Sequence, residues 1–169
     1  MTDLISLVPV MTGYTNGIVK VAASSENSDL FAAWQAFNIT TERGWLCATG
    51  QKNNKPYIVV DLGEPKKIEN YRIRPYSQAS GNSYAKSWNI LYSLDGVIYT
   101  LLHTQTTTLA QGNTSIETFD ANGVVARYFK LEVIESFPTV YDFTGIGYLE
   151  LLGYDFNEKK LIGYNEEYY

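Results

Sequence analysis

Cysteine is nearly absent. Cys47 is the only one in 169 residues, which rules out an internal disulfide and leaves oxidising and reducing compartments both open. A lone thiol of this kind reads as a small buried core residue. Histidine is as scarce: His103 has no second histidine, no cysteine pair and no aspartate at ligand spacing, so a metal or catalytic role has nothing to stand on. Positive charge is short too. Thirteen Lys and Arg against eighteen Asp and Glu give a net charge of −5, with no basic face for a nucleic-acid backbone. No apolar run approaches the roughly eighteen residues of a membrane span. The opening MTDLISLVPVM puts Asp3 where a secretory signal carries positive charge, so no signal peptide is recognised. Phosphate-binding loops, dinucleotide fingerprints and H-E-x-x-H are missing. The nearest approach to G-x-S-x-G, Gly81-Asn82-Ser83-Tyr84-Ala85, lacks the last glycine and falls in a loop.

What the chain has is aromatic residues and short strands. Fourteen Tyr, seven Phe and three Trp favour β structure and leave tyrosine to spare for surfaces. The length fits one domain with a full core. Residues 57–60 form a short apolar run closed by Asp61-Leu62-Gly63 and Pro65, which predicts a buried strand; 18–23, 68–75, 115–119 and 146–153 read as further strands. Residues 88–92 and 97–102 flank Ser93-Leu94-Asp95-Gly96, a hairpin signal with Gly96 placed for a positive φ. In 127–135, Phe129, Leu131 and Val133 alternate with Tyr128, Lys130 and Glu132, the period of a half-buried strand. Only 30–37 suits a helical turn or two, and it is too short to stand alone. About eight strands joined by turns predict an all-β fold, an antiparallel β-sandwich of the jelly-roll type. Trp34, Trp45 and Trp88 read as core or loop anchors. The loop 76–84 (YSQASGNSY) shows no packing duty, and Tyr76, Asn82 and Tyr84 within it are either sugar contacts or ordinary surface residues.

The order of words carries more than any one of them. GIVKVAASS, AAWQAFN…GW, PYIVVDLGEPKKIENYRI, SWNILYSLDGVIYTLLHT, ARYFKLEVIE and IGYLELLGYD follow one another over residues 8–155. This sequence resembles the discoidin, or coagulation-factor C-type, domain, the galactose-binding-like fold shared with bacterial carbohydrate-binding modules. The wording of AAWQAF and SWNI…SLDG is most similar to copies in bacteriophage and bacterial surface proteins. The resemblance implies a non-catalytic, lectin-like module that grips cell-surface glycans with loops at one end of the sandwich, on a virion or an extracellular surface. The alternative it leaves open is a structural subunit that makes protein contacts with its sugar cleft idle.

On that resemblance the loops 24–31, 76–84 and 137–144 converge, and Glu26, Tyr76, Asn82, Tyr84, Tyr141 and Phe143 become the candidate ligand residues. Core packing is the other reading for Tyr141 and Phe143. The family's loop often encloses a structural calcium, helped by a Glu on the last strand. Here Asn38 replaces its Asp and Arg43 its Thr, while Glu150 remains. A cation among the oxygens is incompatible with calcium, so the metal is disfavoured, no cofactor is expected, and Arg43 is expected to pair with Glu150 instead. The arginine that galactose-binding members often carry aligns with Tyr76, so a galactose preference does not transfer. The domain is taken as 1–155. The extension 156–169, with its apolar and acidic residues, is expected to contact a protein partner, and a homo-oligomer stays open.

Overall fold

The computed structural model describes residues 3–76, 84–110, 113 and 115–154. The expectation for the C-terminal extension and the role given to Asn82 lie outside these residues. The strands are β1 (Ile5–Ser6), β2 (Thr15–Asn16), β3 (Val19–Ala23), β4 (Trp45–Leu46), β5 (Tyr57–Pro75), β6 (Ala85–Ser93), β7 (Thr100–Thr106), β8 (Glu117–Ser136) and β9 (Gly145–Gly153). Two 3₁₀ turns, Asp29–Phe31 and Ala33–Phe37, occupy the stretch expected to hold a helical turn or two. Pairing is antiparallel throughout, in the order β1-β9-β5-β8-β6-β7, with β3 added on β5. The result is the β-sandwich expected from the turn and strand pattern.

Two expected boundaries are corrected. Residues 57–60 and 68–75 belong to one long strand, and 117–119 and 127–135 to another, which starts two residues later than expected. Asp61-Leu62-Gly63 carries turn chemistry, yet the chain bends there instead of reversing. Register shifts fall between Asp61 and Lys66 and again between Ile68 and Asn70, the mark of bulges that let one strand pass from one layer to the other. Thus 58–61 pairs with β3 and 57–61 with 128–132, while 68–75 pairs with β9.

Between the layers, the alternation read from the sequence holds. Phe129, Leu131 and Val133 are buried, and so are Ile58, Val60, Trp88, Ile90, Tyr71 and Ile73. The Tyr71 and Phe129 rings lie 5.7 Å apart across the core. Trp45 and Trp88 are buried anchors, Trp34 packs partly buried against the core, and Cys47 is a fully buried small residue whose thiol is pushed up by burial.

A polar chain runs through this apolar interior. Trp88 Nε1 donates to the Tyr71 hydroxyl at 3.2 Å, and that hydroxyl lies 3.1 Å from His103 Nε2. The Tyr71 oxygen accepts from Trp88, and the direction of its bond with His103 Nε2 follows the imidazole tautomer. Burial holds the His103 pKa below its ordinary value, with Asp120 opposing. The folded state therefore binds fewer protons at this ring than the unfolded chain. Its contribution to stability is full above the unfolded pKa and lost as pH falls through the folded one. Melting temperature is expected to drop between roughly pH 7 and pH 5, and less steeply in His103→Gln. Equal slopes in the two proteins would show that another group titrates.

Candidate functional site

The site is built by loops laced together at one end of the sandwich. β4 pairs with the start of β9, Trp45 opposite Ile146 and Leu46 opposite Gly145. This lays 44–50 beside 142–145. Cys47 N–H donates to the Thr144 carbonyl at 2.8 Å, Thr144 N–H to Cys47 Sγ at 3.3 Å, and Gly50 N–H to the Asp142 carbonyl at 2.8 Å. The approach requires glycine at 145, where a Cβ would stand 1.8 Å from the Trp45 carbonyl oxygen. The third segment, 24–31, is tied on from the other side. Asn27 N–H donates to the Leu46 carbonyl (2.9 Å), Asn27 Nδ2 to Thr49 Oγ1 (3.3 Å), and Trp45 Nε1 to the Ser25 carbonyl (2.9 Å).

The described ends of the three expected loops do come together, but the residues play different parts from those assigned. Tyr76 and Tyr84 are not surface contacts: they are 4% and 0% exposed and form the floor with Leu46. Phe31 meets Tyr76 edge-on at 5.7 Å, and Phe137 lies 4.7 Å from Tyr84. The Tyr84 hydroxyl donates to the Ala110 carbonyl at 3.1 Å. The physical reason is position. Each tyrosine sits where a strand meets the loop, and there a large ring caps the open end of the core. Burial raises the Tyr76 phenol to about 12, slightly offset by the nearby Arg43 guanidinium.

Glu26 is a brace. Its Oε2 accepts from the Tyr14 hydroxyl at 2.6 Å and its Oε1 from Ala33 N–H at 2.7 Å, which pins the second 3₁₀ turn. The bond to that carboxylate, more than burial, pushes the Tyr14 phenol up to about 12. Of the aromatic pair in 137–144, Phe143 packs against both the main core and the floor cluster. Tyr141 stacks on it, centroids 5.1 Å apart and planes 24° apart, and is 36% exposed. Tyr141 is thus the more exposed of the two rings.

The calcium loop has come apart. Asn38 is buried, its Nδ2 donating to the Met11 carbonyl (2.8 Å) and its Oδ1 accepting from Thr40 N–H (3.0 Å) and Oγ1 (2.6 Å). The expected pair of Arg43 with Glu150 is not formed. Glu150 lies in register with Arg72 on the neighbouring strand and pairs with it at 3.4 Å, whereas Arg43 is exposed near Tyr76. Among the described residues no three His, Cys, Asp or Glu side chains gather as a metal would need. These residues do not fit calcium.

Sequence reasoning missed Phe31, Leu46 and Phe137 as the floor and Asn27, Thr49 and Arg43 as polar groups around it. Only the aromatics at 31 and 137, beside otherwise polar loop segments, were a usable signal. The hydrogen bonds of Asn27 depend on a pairing between distant segments that no local pattern carries.

An antiparallel sandwich with its loops gathered over an aromatic floor is the build of a galactose-binding-like domain. The chain belongs to the F5/8 type C domain family, whose model matches residues 20–144. No curated protein matches in sequence. Among solved structures, the chain is similar to the family 32 carbohydrate-binding module of Clostridium perfringens NanJ, solved with galactose. The TM-score is 0.67 at 18% identity, over 89% of this chain and 98% of that one. It is also similar to CpGH89CBM32-5 of the same organism, solved with GalNAc-β-1,3-galactose (0.64, 21%, 80% and 95%). A third relative is chitosan-binding module 1 from a Paenibacillus sp. IK-5 chitosanase/glucanase (0.61, 24%, 79% and 94%). At these identities the likeness establishes the fold.

Proposed function

We propose that this domain is a carbohydrate-binding module that holds glycans at the loop end without cleaving them. The observation that carries the reading is Tyr141, a ring stacked on Phe143 and 36% exposed, beside a frame fixed by three interlocked segments. Family membership, and the sugar-bound modules among the solved relatives, support it. Sugars need a ring to stack on and fixed polar groups for their hydroxyls; Asn27 and Thr49 belong to the interlocked segments, and Arg43 lies near Tyr76. Hydrolysis needs two available carboxyl groups across the bond, and here Glu26 is held by Tyr14 and Ala33. The finer reading, attachment of a virion or surface structure to host glycans through many weak copies, rests on the wording of AAWQAF and SWNI…SLDG. In that setting the extension 156–169, rich in tyrosine, apolar and acidic residues, would meet a protein partner.

A specific observation favours the second reading, a structural subunit. Leu94, Val97 and Ile98 at the β6–β7 turn are 59%, 80% and 74% exposed, an apolar tip suited to a protein contact. A glycan array separates the two. Wild type is expected to retain a defined set of glycans, and Tyr141→Ala to lose about tenfold in affinity, some 1.4 kcal/mol. A wild-type protein that retains none hands the function to the structural reading.

A further inference from the structure

The outer face of the sheet carries a second concave feature, across β3, β5 and β8. Side chains at Lys20, Asp61 and Tyr128 lie in one row across β3, β5 and β8, and Ala22, Val59 and Lys130 in the next. Small residues in the second row leave a groove of about 360 Å³, walled by Tyr57, Tyr99 and Tyr128. That volume is at the lower end of the range for small-molecule sites. Gly96 closes one side, its Cα against the Tyr128 ring, where a Cβ would stand 2.9 Å from it. Lys130 stands between the rings, its Nζ 4.0 Å from the Tyr99 centroid and 5.1 Å from that of Tyr57.

The charge in this groove is of the unusual sign. Lys66, Lys67, Arg72, Lys86 and Arg127 each pair with a carboxylate. Among the described residues, Lys130 and Lys20 pair with none, as Arg43, Lys52, Lys55 and Arg74 do elsewhere on the domain. Asp61 is taken up by Arg127, which holds it at 2.7 and 3.0 Å and keeps its carboxyl below the usual range. Glu132, further along β8, accepts from Asn89 Nδ2, and Asp95 accepts from the turn amides of Val97 and Ile98. In a chain of net charge −5 the groove therefore offers two ammonium groups without a carboxylate partner, that of Lys130 lying against the Tyr99 and Tyr57 rings. An ammonium held against rings is fixed in place and keeps its attraction for an anion.

We propose that this groove is a separate binding site for an acidic saccharide, the carboxylate of a uronic-acid residue meeting Lys20 and Lys130, with Lys130 positioned by the Tyr99 and Tyr57 rings. The site does not rest on the loop-end reading. A phosphate would prefer an arginine fork, and the nearest one, Arg127, is committed to Asp61. Titration calorimetry with trigalacturonic acid tests the assignment, with galactotriose and a poly-glutamate peptide as comparators. Wild type should bind the uronate trisaccharide, more weakly as salt rises, and bind neither comparator. Lys130→Gln and Tyr99→Ala should each lose at least about tenfold, whereas Tyr141→Ala binds it as wild type does. Both groove side chains face outward, so unchanged melting temperatures will show that the variants fold. No binding, equal binding of galactotriose or of poly-glutamate, or a loss confined to Tyr141→Ala would each overturn the proposal.

Discussion

Tyr84→Ala is expected to lower the stability of the domain by about 3–5 kcal/mol, the cost of removing a large buried ring. Tyr84 is fully buried between Leu46, Tyr76 and Phe137, and its backbone carbonyl also accepts from Phe137 N–H at 3.2 Å. Truncation opens a cavity under the loops, because the residues around it belong to three different segments and cannot all close inward. Tyr84→Phe removes the hydroxyl and its hydrogen bond to Ala110, and should cost about 1 kcal/mol. Urea midpoints of the two variants check the difference. A Tyr84→Ala protein as stable as wild type would place the ring outside the core. The same expectation settles how a loss of glycan binding on this substitution is read: the floor has gone, not a contact to sugar.

Gly145→Ala is the second large effect. The added methyl falls 1.8 Å from the Trp45 carbonyl oxygen and 2.9 Å from the Leu46 Cα, both backbone atoms with little freedom to yield. Only separation of β4 from β9 relieves the overlap. That breaks the pairing of Leu46 with Gly145 and strains the Cys47–Thr144 bonds beyond it. A cost of about 3 kcal/mol or more follows, at the upper end of overpacking effects. Hydrogen exchange gives the specific readout: the amides of Cys47 and Thr144 should lose protection before those of β8. Uniform loss across the sheet would mean that the pairing is not the local fault line.

The sequence was most legible where one residue decides one local geometry. Gly96 has the positive φ its turn demands, 76°, and the alternation at Phe129, Leu131 and Val133 transferred directly to burial. It was least legible where turn chemistry serves another purpose. Asp61-Leu62-Gly63 and Asn122-Gly123 look like chain reversals, yet the positive φ of Gly63, Asn122 and Gly123 bends long strands between layers. The candidate site divides in the same way. The meeting of the loops followed from the family resemblance, and Tyr141 was legible as an aromatic in a loop. The burial of Tyr76 and Tyr84 was hidden because the residues between them in sequence are polar, while their packing partners are Leu46, Phe31 and Phe137. Glu26 and Glu150 were read as ligand and counter-ion, but each found a nearer partner, Tyr14 with Ala33 and Arg72, fixed by pairings across the fold.

The most direct test of the central claim is a chemical-shift map of the labelled protein titrated with galactose and, separately, with chitosan oligosaccharides, the classes of sugar named with its solved relatives. The account predicts saturable shifts from at least one of them at Asn27, Thr49, Tyr141 and Phe143, with the outer sheet face around Lys130 unmoved by the neutral sugar. Saturable shifts by galactose centred on that face, or no saturable shift at the loop end with either sugar, would contradict it.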